Sequence, residues 1–240
     1  MKKLIGVLIV LLLPVQQAWA TESGNVKAYG SKDYAWGEMT PERIEVLRLG
    51  GDAVRGKEAY RGCRGCHKPD ASGVVDGTYP RLSGQHAGVL IKQMIDTRAG
   101  VRINPKMLPF VEDPAITVQE IADIAVYLSA LPSLRESGKN SDNLSAQGKK
   151  LYEENKCATC HGTKGEGDSA KVHPVIANQH YGYLLRELKH IQHGTRGNSH
   201  PDMVKAISNF SPNDLEAVAD YLSRLPDYRT VGAGAAGKNK

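Results

Sequence analysis

Two stretches of the chain repeat one five-residue pattern, Cys63-Arg64-Gly65-Cys66-His67 and Cys157-Ala158-Thr159-Cys160-His161. Two thiols separated by two residues and followed at once by an imidazole suit covalent capture of a porphyrin. Each sulfur adds across one vinyl group, and the spacing lets both reach the same porphyrin edge while the histidine is held against the iron. The chemistry is that of c-type haem attachment. Two rivals use the same residues: a zinc tetrahedron of Cys and His, and a thiol redox pair, which belongs in a βαβ unit that this chain does not suggest. Duplication of the pattern, and the matched residues downstream of each copy, weigh towards haem. Cys63, Cys66, Cys157 and Cys160 are then anchors for two covalently bound haem c groups, with His67 and His161 as iron ligands. No cysteine is left over for the two disulfides that an exported chain with four cysteines would ordinarily form.

The residue on the other side of each iron decides between carrying electrons and doing chemistry. Of five methionines, Met1 falls in an export signal, Met39 lies outside the duplicated region, and Met94 matches Leu188 as a core position. Met107 and Met203 remain, 40 and 42 residues after their motif histidines. They occupy equivalent loops between two helices if the second copy has a two-residue insertion, so both are expected as axial ligands. A lone methionine would read as core packing; the matched pair does not. His86 and His180 also match, but they start a helix close in sequence to the proximal side and read as surface or polar-network residues. His173, His190, His193 and His200 have no matching partner and read as solvated.

These side chains need a scaffold, and the scaffold is also duplicated. Aligning the pentapeptides sets a register of 94, in which Pro80 meets Pro174, Gln85-His86 meets Gln179-His180, Gly100 meets Gly194, Arg102 meets Arg196 and Tyr127-Leu128-Ser129 meets Tyr221-Leu222-Ser223. Each copy reads as helical. Segments 54–61 and 147–154 precede the cysteines; Val89, Leu90, Met94 and Ile95 make an apolar stripe at helical spacing, matched by Tyr183, Leu184, Leu188 and Ile191. Thr117 with Glu120, and Ser211 with Asp214, announce a last helix in each copy, and Pro132 and Pro226 its stop. The domains are expected at 55–132 and 147–226, joined by a surface linker at 133–146, preceded by an arm at 21–54 and followed by a flexible tail at 227–240.

Residues 1–20 read as a cleaved export signal: Lys2-Lys3, the apolar run Leu4 to Leu13, and Ala18-Trp19-Ala20 before the cut. The run is about half the roughly 20 residues a membrane span needs, so a soluble, periplasmic protein is expected. The 240-residue chain has 31 Lys and Arg against 26 Asp and Glu. Without the signal's two lysines 29 basic residues face 26 acidic ones, a net +3, which with export excludes nucleic acid as a partner. A composition that is 40% hydrophobic with 24% charged residues excludes disorder. The arm adds four basic and six acidic residues, with a helix expected from Thr40-Pro41-Glu42 that packs over a haem domain or docks a partner enzyme.

With these residues in view, the chain resembles the dihaem cytochrome c4 family over about 55–226. The resemblance implies an all-α fold of two tandem class I cytochrome c-like domains related by approximate twofold symmetry. It also implies that the carbonyls of Pro80 and Pro174 orient the proximal histidines, that Arg102 and Arg196 are candidate partners for haem propionates, and that Gly56 with Tyr127 and Gly148 with Tyr221 make the close crossing of first and last helices. The expected function is a periplasmic electron carrier, not an enzyme, shuttling single electrons between respiratory donors and a terminal oxidase or reductase. Its partners are redox proteins, including docking to a membrane-bound oxidase. The alternative is a haem enzyme, or the cytochrome subunit of one such as a sulfur-compound dehydrogenase, with a displaceable sixth ligand.

Overall fold

The computed structural model describes residues 39–133 and 136–227; the expected export signal, the arm as far as residue 38 and the tail from 228 onward lie outside the described residues. Within those residues the regular structure is helical, save for an isolated bridge between Asp168 and His173. In the first half α1 (Pro41–Arg48) is followed by α2 (Ala53–Ala59), a 3-10 turn at Tyr60–Cys63, α3 (Arg64–His67), α4 (Ala87–Arg98), α5 (Leu108–Val111) and α6 (Val118–Ala130). The second half runs α7 (Ser145–Glu154), α8 (Ala158–His161), α9 (Tyr181–Gln192), α10 (Pro201–Ile207) and α11 (Pro212–Arg224). Helices α2 and α7 thus start two residues before the expected limits at 55 and 147. Among the described residues no helix is long and apolar enough to cross a membrane.

The last helix of each half starts at the expected cap. Thr117 and Glu120, and likewise Ser211 and Asp214, satisfy each other's backbone N–H groups, which would otherwise be left without partners. In each half the last helix crosses the helix that precedes the cysteines at a glycine, α6 over α2 and α11 over α7. A Cβ on Gly56 would stand 2.1 Å from the Asp123 carbonyl oxygen, and one on Gly148 2.0 Å from that of Ala217, so only a bare Cα permits the approach. Tyr60 packs on Tyr127 with centroids 5.7 Å apart, and Tyr152 on Tyr221 at 5.6 Å, alongside these crossings. In the first half Asp123, 1% exposed, clasps the crossing by accepting from the Asp52 N–H and the Arg55 guanidinium at 2.7 Å each. Apolar side chains fill two separate cores, one around Ile91, Ile95, Ile121, Ile124 and Leu128, the other around Leu184, Leu188, Leu215 and Leu222. Each such fully buried aliphatic contributes about 1.5–3 kcal/mol.

The helix expected at Thr40-Pro41-Glu42 is α1, capped by the Thr40 hydroxyl, and it packs on the first domain. Val46 is completely buried in that domain's core, and Arg43 reaches Asp96 of α4 at 2.9 Å.

The two halves grip each other through equivalent residues. The Gln85 side chain donates to the Val175 carbonyl and accepts from the Val175 N–H, both at 2.9 Å, while Gln179 does the same with Arg81, again at 2.9 Å. Because 81 and 175 are 94 apart, the contacts are exchanged when the halves are exchanged. The segment expected as a surface linker is partly built into this junction. Ser133 and Ser137 are buried; Arg81 donates to the Ser133 hydroxyl at 2.8 Å, and the Gly138 N–H and carbonyl engage His180 and the Tyr181 N–H. Polar composition suggested exposure, but these polar groups find partners in both domains. Asp227, expected as the first tail residue, is likewise buried, within 3.8 Å of Arg81.

Candidate functional site

Each Cys-x-x-Cys-His motif follows the end of a longer helix, α2 in the first half and α7 in the second. Cys63 closes the 3-10 turn and His67 is the last residue of α3; Cys157 caps α8 and His161 ends it. The next residue, Lys68 at φ 69 and Gly162 at φ 74, turns the chain sharply away. Its carbonyl is held by a buried phenol, since Tyr60 donates to Lys68 at 3.0 Å and Tyr152 to Gly162 at 2.6 Å.

The chain then returns to orient the ring. Nδ1 of His67 donates to the Pro80 carbonyl at 3.1 Å and Nδ1 of His161 to that of Pro174 at 3.3 Å. With the proton fixed on Nδ1, the lone pair resides on Nε2. Gly73 and Gly167, at φ 71 each, make room for this. A Cβ on Gly73 would lie 2.5 Å from the Pro80 oxygen, and one on Gly167 2.6 Å from that of Pro174. Burial pushes the pKa of both histidines down, against the pull of the proline carbonyls, and holds the rings neutral, the form that binds a metal. Burial and the neighbouring Cys66 push the Cys63 thiol up to about 11, and burial also raises Cys157. All four cysteines are free thiols. Among the described residues no group of three or more His, Cys, Asp and Glu is arranged to hold a metal ion, so the zinc tetrahedron has no counterpart.

This donor set fits a haem in each half: two free thiols beside an imidazole, buried at His67 and half-buried at His161, whose Nδ1 is fixed by a carbonyl. Beside His161 the ring of His173, 6.4 Å away, leaves a buried Nδ1 without a partner among the described residues, which a bound polar group would complete. His173 is therefore not the solvated residue expected. Its equivalent is Tyr79, 6.0 Å from His67, and packing against the proximal ring draws both side chains inward.

Met107 caps α5, its N–H bonded to the Asn104 carbonyl at 3.0 Å, and is partly buried on the first core. Met203 is partly buried on the second core, but within the short α10 and not on an open loop. Both methionine segments are tied down from the last turn of the preceding long helix. Arg98 donates to the carbonyls of Val111, at 2.5 Å, and Ile116; Gln192 donates to those of Ile207 at 2.9 Å and Phe210 at 2.8 Å.

Arg102 and Arg196 meet across the domain boundary. Each guanidinium bonds both Gln93 and Glu187, at 2.9 to 3.1 Å, so the equivalent positions 93 and 187 sit between the two arginines. Burial works against ionisation of Glu187, but the arginines outweigh it and keep its pKa below the usual carboxylate range. The matched histidines are polar-network residues, as expected, and they too cross the boundary: His86 donates to the Glu166 carbonyl at 2.9 Å and His180 to that of Ser72 at 2.7 Å.

Sequence reasoning missed Gly73 and Gly167, Arg98 and Gln192, and the Gln93–Glu187 pair. All fall in the register of 94, so scanning that register for polar and glycine positions would have found them.

The cytochrome c family model matches residues 53–132 and again 145–226. A thiosulfate dehydrogenase electron acceptor from Stutzerimonas stutzeri is 33% identical over 72% of this chain and 82% of its own length. Cytochrome c4 from Azotobacter vinelandii is 28% identical over 75% of this chain and 92% of its own. The crystal structure of reduced recombinant cytochrome c4 from Pseudomonas stutzeri superposes with a TM-score of 0.66 at 28% identity, covering 74% of this chain and all of that one.

Proposed function

Since the chain belongs to the cytochrome c family, as a dihaem cytochrome of the c4 kind, we propose that it is an exported, periplasmic single-electron carrier closed on both sides of both irons. As a dihaem electron-transfer cytochrome it carries two covalent haem c groups and works with redox partner proteins. In this reading Cys63 and Cys66, and Cys157 and Cys160, would hold the two haems covalently, and His67 with Met107, and His161 with Met203, would ligate the irons. Bound haem supplies a one-electron ferric/ferrous couple.

The chain's own part is to hold its ligands still. Pro80 and Pro174 fix the proximal rings through Nδ1. Arg98 and Gln192 fix the segments that bring the methionines. The thioethers, soft and neutral, would favour the ferrous state, and ligands held in place would keep reorganisation small. The observation that supports this reading is that both halves carry these hydrogen bonds at equivalent positions.

A second reading concerns the donor. The likeness to a thiosulfate dehydrogenase electron acceptor favours a sulfur-compound dehydrogenase as the source of electrons, with this chain passing them to a terminal oxidase. The test is an optical spectrum of the dithionite-reduced holoprotein before and after carbon monoxide, with haem quantified per chain. Two haems and no spectral change are expected. Prompt stoichiometric carbon monoxide binding at either haem would overturn the closed-iron reading and favour the enzyme alternative.

A further inference from the structure

The two methionine segments are secured by different chemistry. In the second half Gln192, a neutral amide, bonds the carbonyls of Ile207 and Phe210 on its own. In the first half the equivalent residue is Arg98. Its Nε and one terminal nitrogen bond the carbonyls of Val111 and Ile116, and its other terminal nitrogen bonds Glu42 of α1 at 2.5 Å. Val111 ends α5, the helix capped by Met107, and Ile116 lies just before the cap of α6. The guanidinium therefore holds the chain where it leaves the methionine and where it rejoins the last helix.

We propose that α1 is a brace on the methionine segment of the first haem domain, acting through Glu42 and Arg98. The proposal rests on the reading of Met107 as an axial ligand. A guanidinium only 10% exposed needs a counter-charge, and Glu42 provides it. The brace is itself anchored: Arg43 binds the fully buried Asp96 at 2.9 Å, and Val46 is buried in the first core. Glu42 therefore cannot follow Arg98 if the segment swings out. For an outside ligand to replace Met107, the segment must move away from the iron, which breaks the Arg98 bonds or strips Arg98 from Glu42. Closure of the first haem thus includes the strength of the Glu42–Arg98 pair; closure of the second does not. Glu42 and Arg98 are positioning residues.

The test uses the ferric holoprotein titrated with imidazole, each haem followed separately. In the ferrous protein the ring-current-shifted methionine methyl resonances are assigned by their loss in Met107→His and Met203→His. Glu42→Ala is expected to raise imidazole affinity at the first haem by about tenfold, the factor for one charge-assisted hydrogen bond, and to leave the second haem unchanged. Arg98→Gln, which gives the first half the residue of the second, is expected to bring the affinities of the two haems together and to make the first indifferent to Glu42→Ala. No change at the first haem, or equal changes at both, would overturn the brace. If the unsubstituted ferrous protein has no methyl resonance that Met107→His removes, the ligand reading fails, and the brace with it. A normal Met107 resonance combined with unchanged imidazole affinity in Glu42→Ala would remove the brace alone.

Discussion

The ring of His180 bonds the carbonyl of Ser72, 108 residues earlier in the chain and in the other domain, at 2.7 Å. Its second nitrogen accepts the Gly138 N–H at 3.0 Å. A ring that donates at Nε2 and accepts at Nδ1 must be neutral, and protonation would replace the acceptor with a donor facing another N–H.

Domain docking should therefore weaken in acid. Burial, and secondarily Arg81, lower the His180 pKa, while Ser72 and Asp76 oppose them; the net shift is downward. The unfolded ring binds its proton first, so the contribution is complete above the unfolded value of about 6.5 and is lost as pH falls below it towards the folded value. Thermal unfolding of the holoprotein from neutral to mildly acidic pH should show this slope. His180→Gln should flatten it and cost about 1–3 kcal/mol at neutral pH. A slope unchanged by the substitution would assign it to other groups.

Gly73→Ala should disturb the first proximal histidine and leave the second untouched. The new Cβ would meet the Tyr79 and Pro80 oxygens at 2.5 Å, with the backbone at φ 71, so the carbonyl that orients His67 must retreat. A loss of about 1–3 kcal/mol is expected, with a shift of the His67 ring N–H resonance. The same resonance of His161 should not move.

Glu187→Ala should loosen the two domains from each other. The carboxylate stands 3.1 Å from Arg102 and 2.9 Å from Arg196, and its removal leaves two facing guanidinium groups with only neutral partners, Gln93, Tyr183 and Asn198, bonded to them. The cluster is half-buried, so the cost falls below the roughly 3–5 kcal/mol of breaking a fully buried pair. Small-angle scattering and a split of the thermal transition into two steps would report it.

Gly56→Ala and Gly148→Ala should each damage their own half. Cβ approaches of 2.1 and 2.0 Å to backbone oxygens cannot be relieved by a side-chain rotation, so the helix crossing must open, at a cost of about 1–3 kcal/mol or more. Haem retention per domain after mild heating distinguishes the two variants.

The chemistry and the scaffold were legible in the sequence for one reason: duplication turned single residues into matched pairs. Met107 alone could be packing, and its pairing with Met203 made it a ligand candidate. Thr117 with Glu120 and Ser211 with Asp214 announced their helices because a cap is written within four residues. The junction was not legible, because its partners are 41 to 109 residues apart and become neighbours only once the halves dock. Ser137 and Gly138 looked like linker, since nothing local predicts that Asn178, His180 and Ser223 receive them. His173 looked solvated because nothing in its own segment shows that the chain folds back to set it beside His161.

The reciprocal grip of Gln85 on Val175 and Gln179 on Arg81 has the logic of a homodimer sealed within one polypeptide. Each half offers the same patch and consumes the other's copy, so no unused copy remains on the outside. Assembly by this surface stops at two, and a third repeat added to either end would find no vacant seat. Drift in either repeat is also buffered, because a substitution at one of these positions alters only one of two mirrored contacts and leaves the other as a scaffold against which the change can be tolerated.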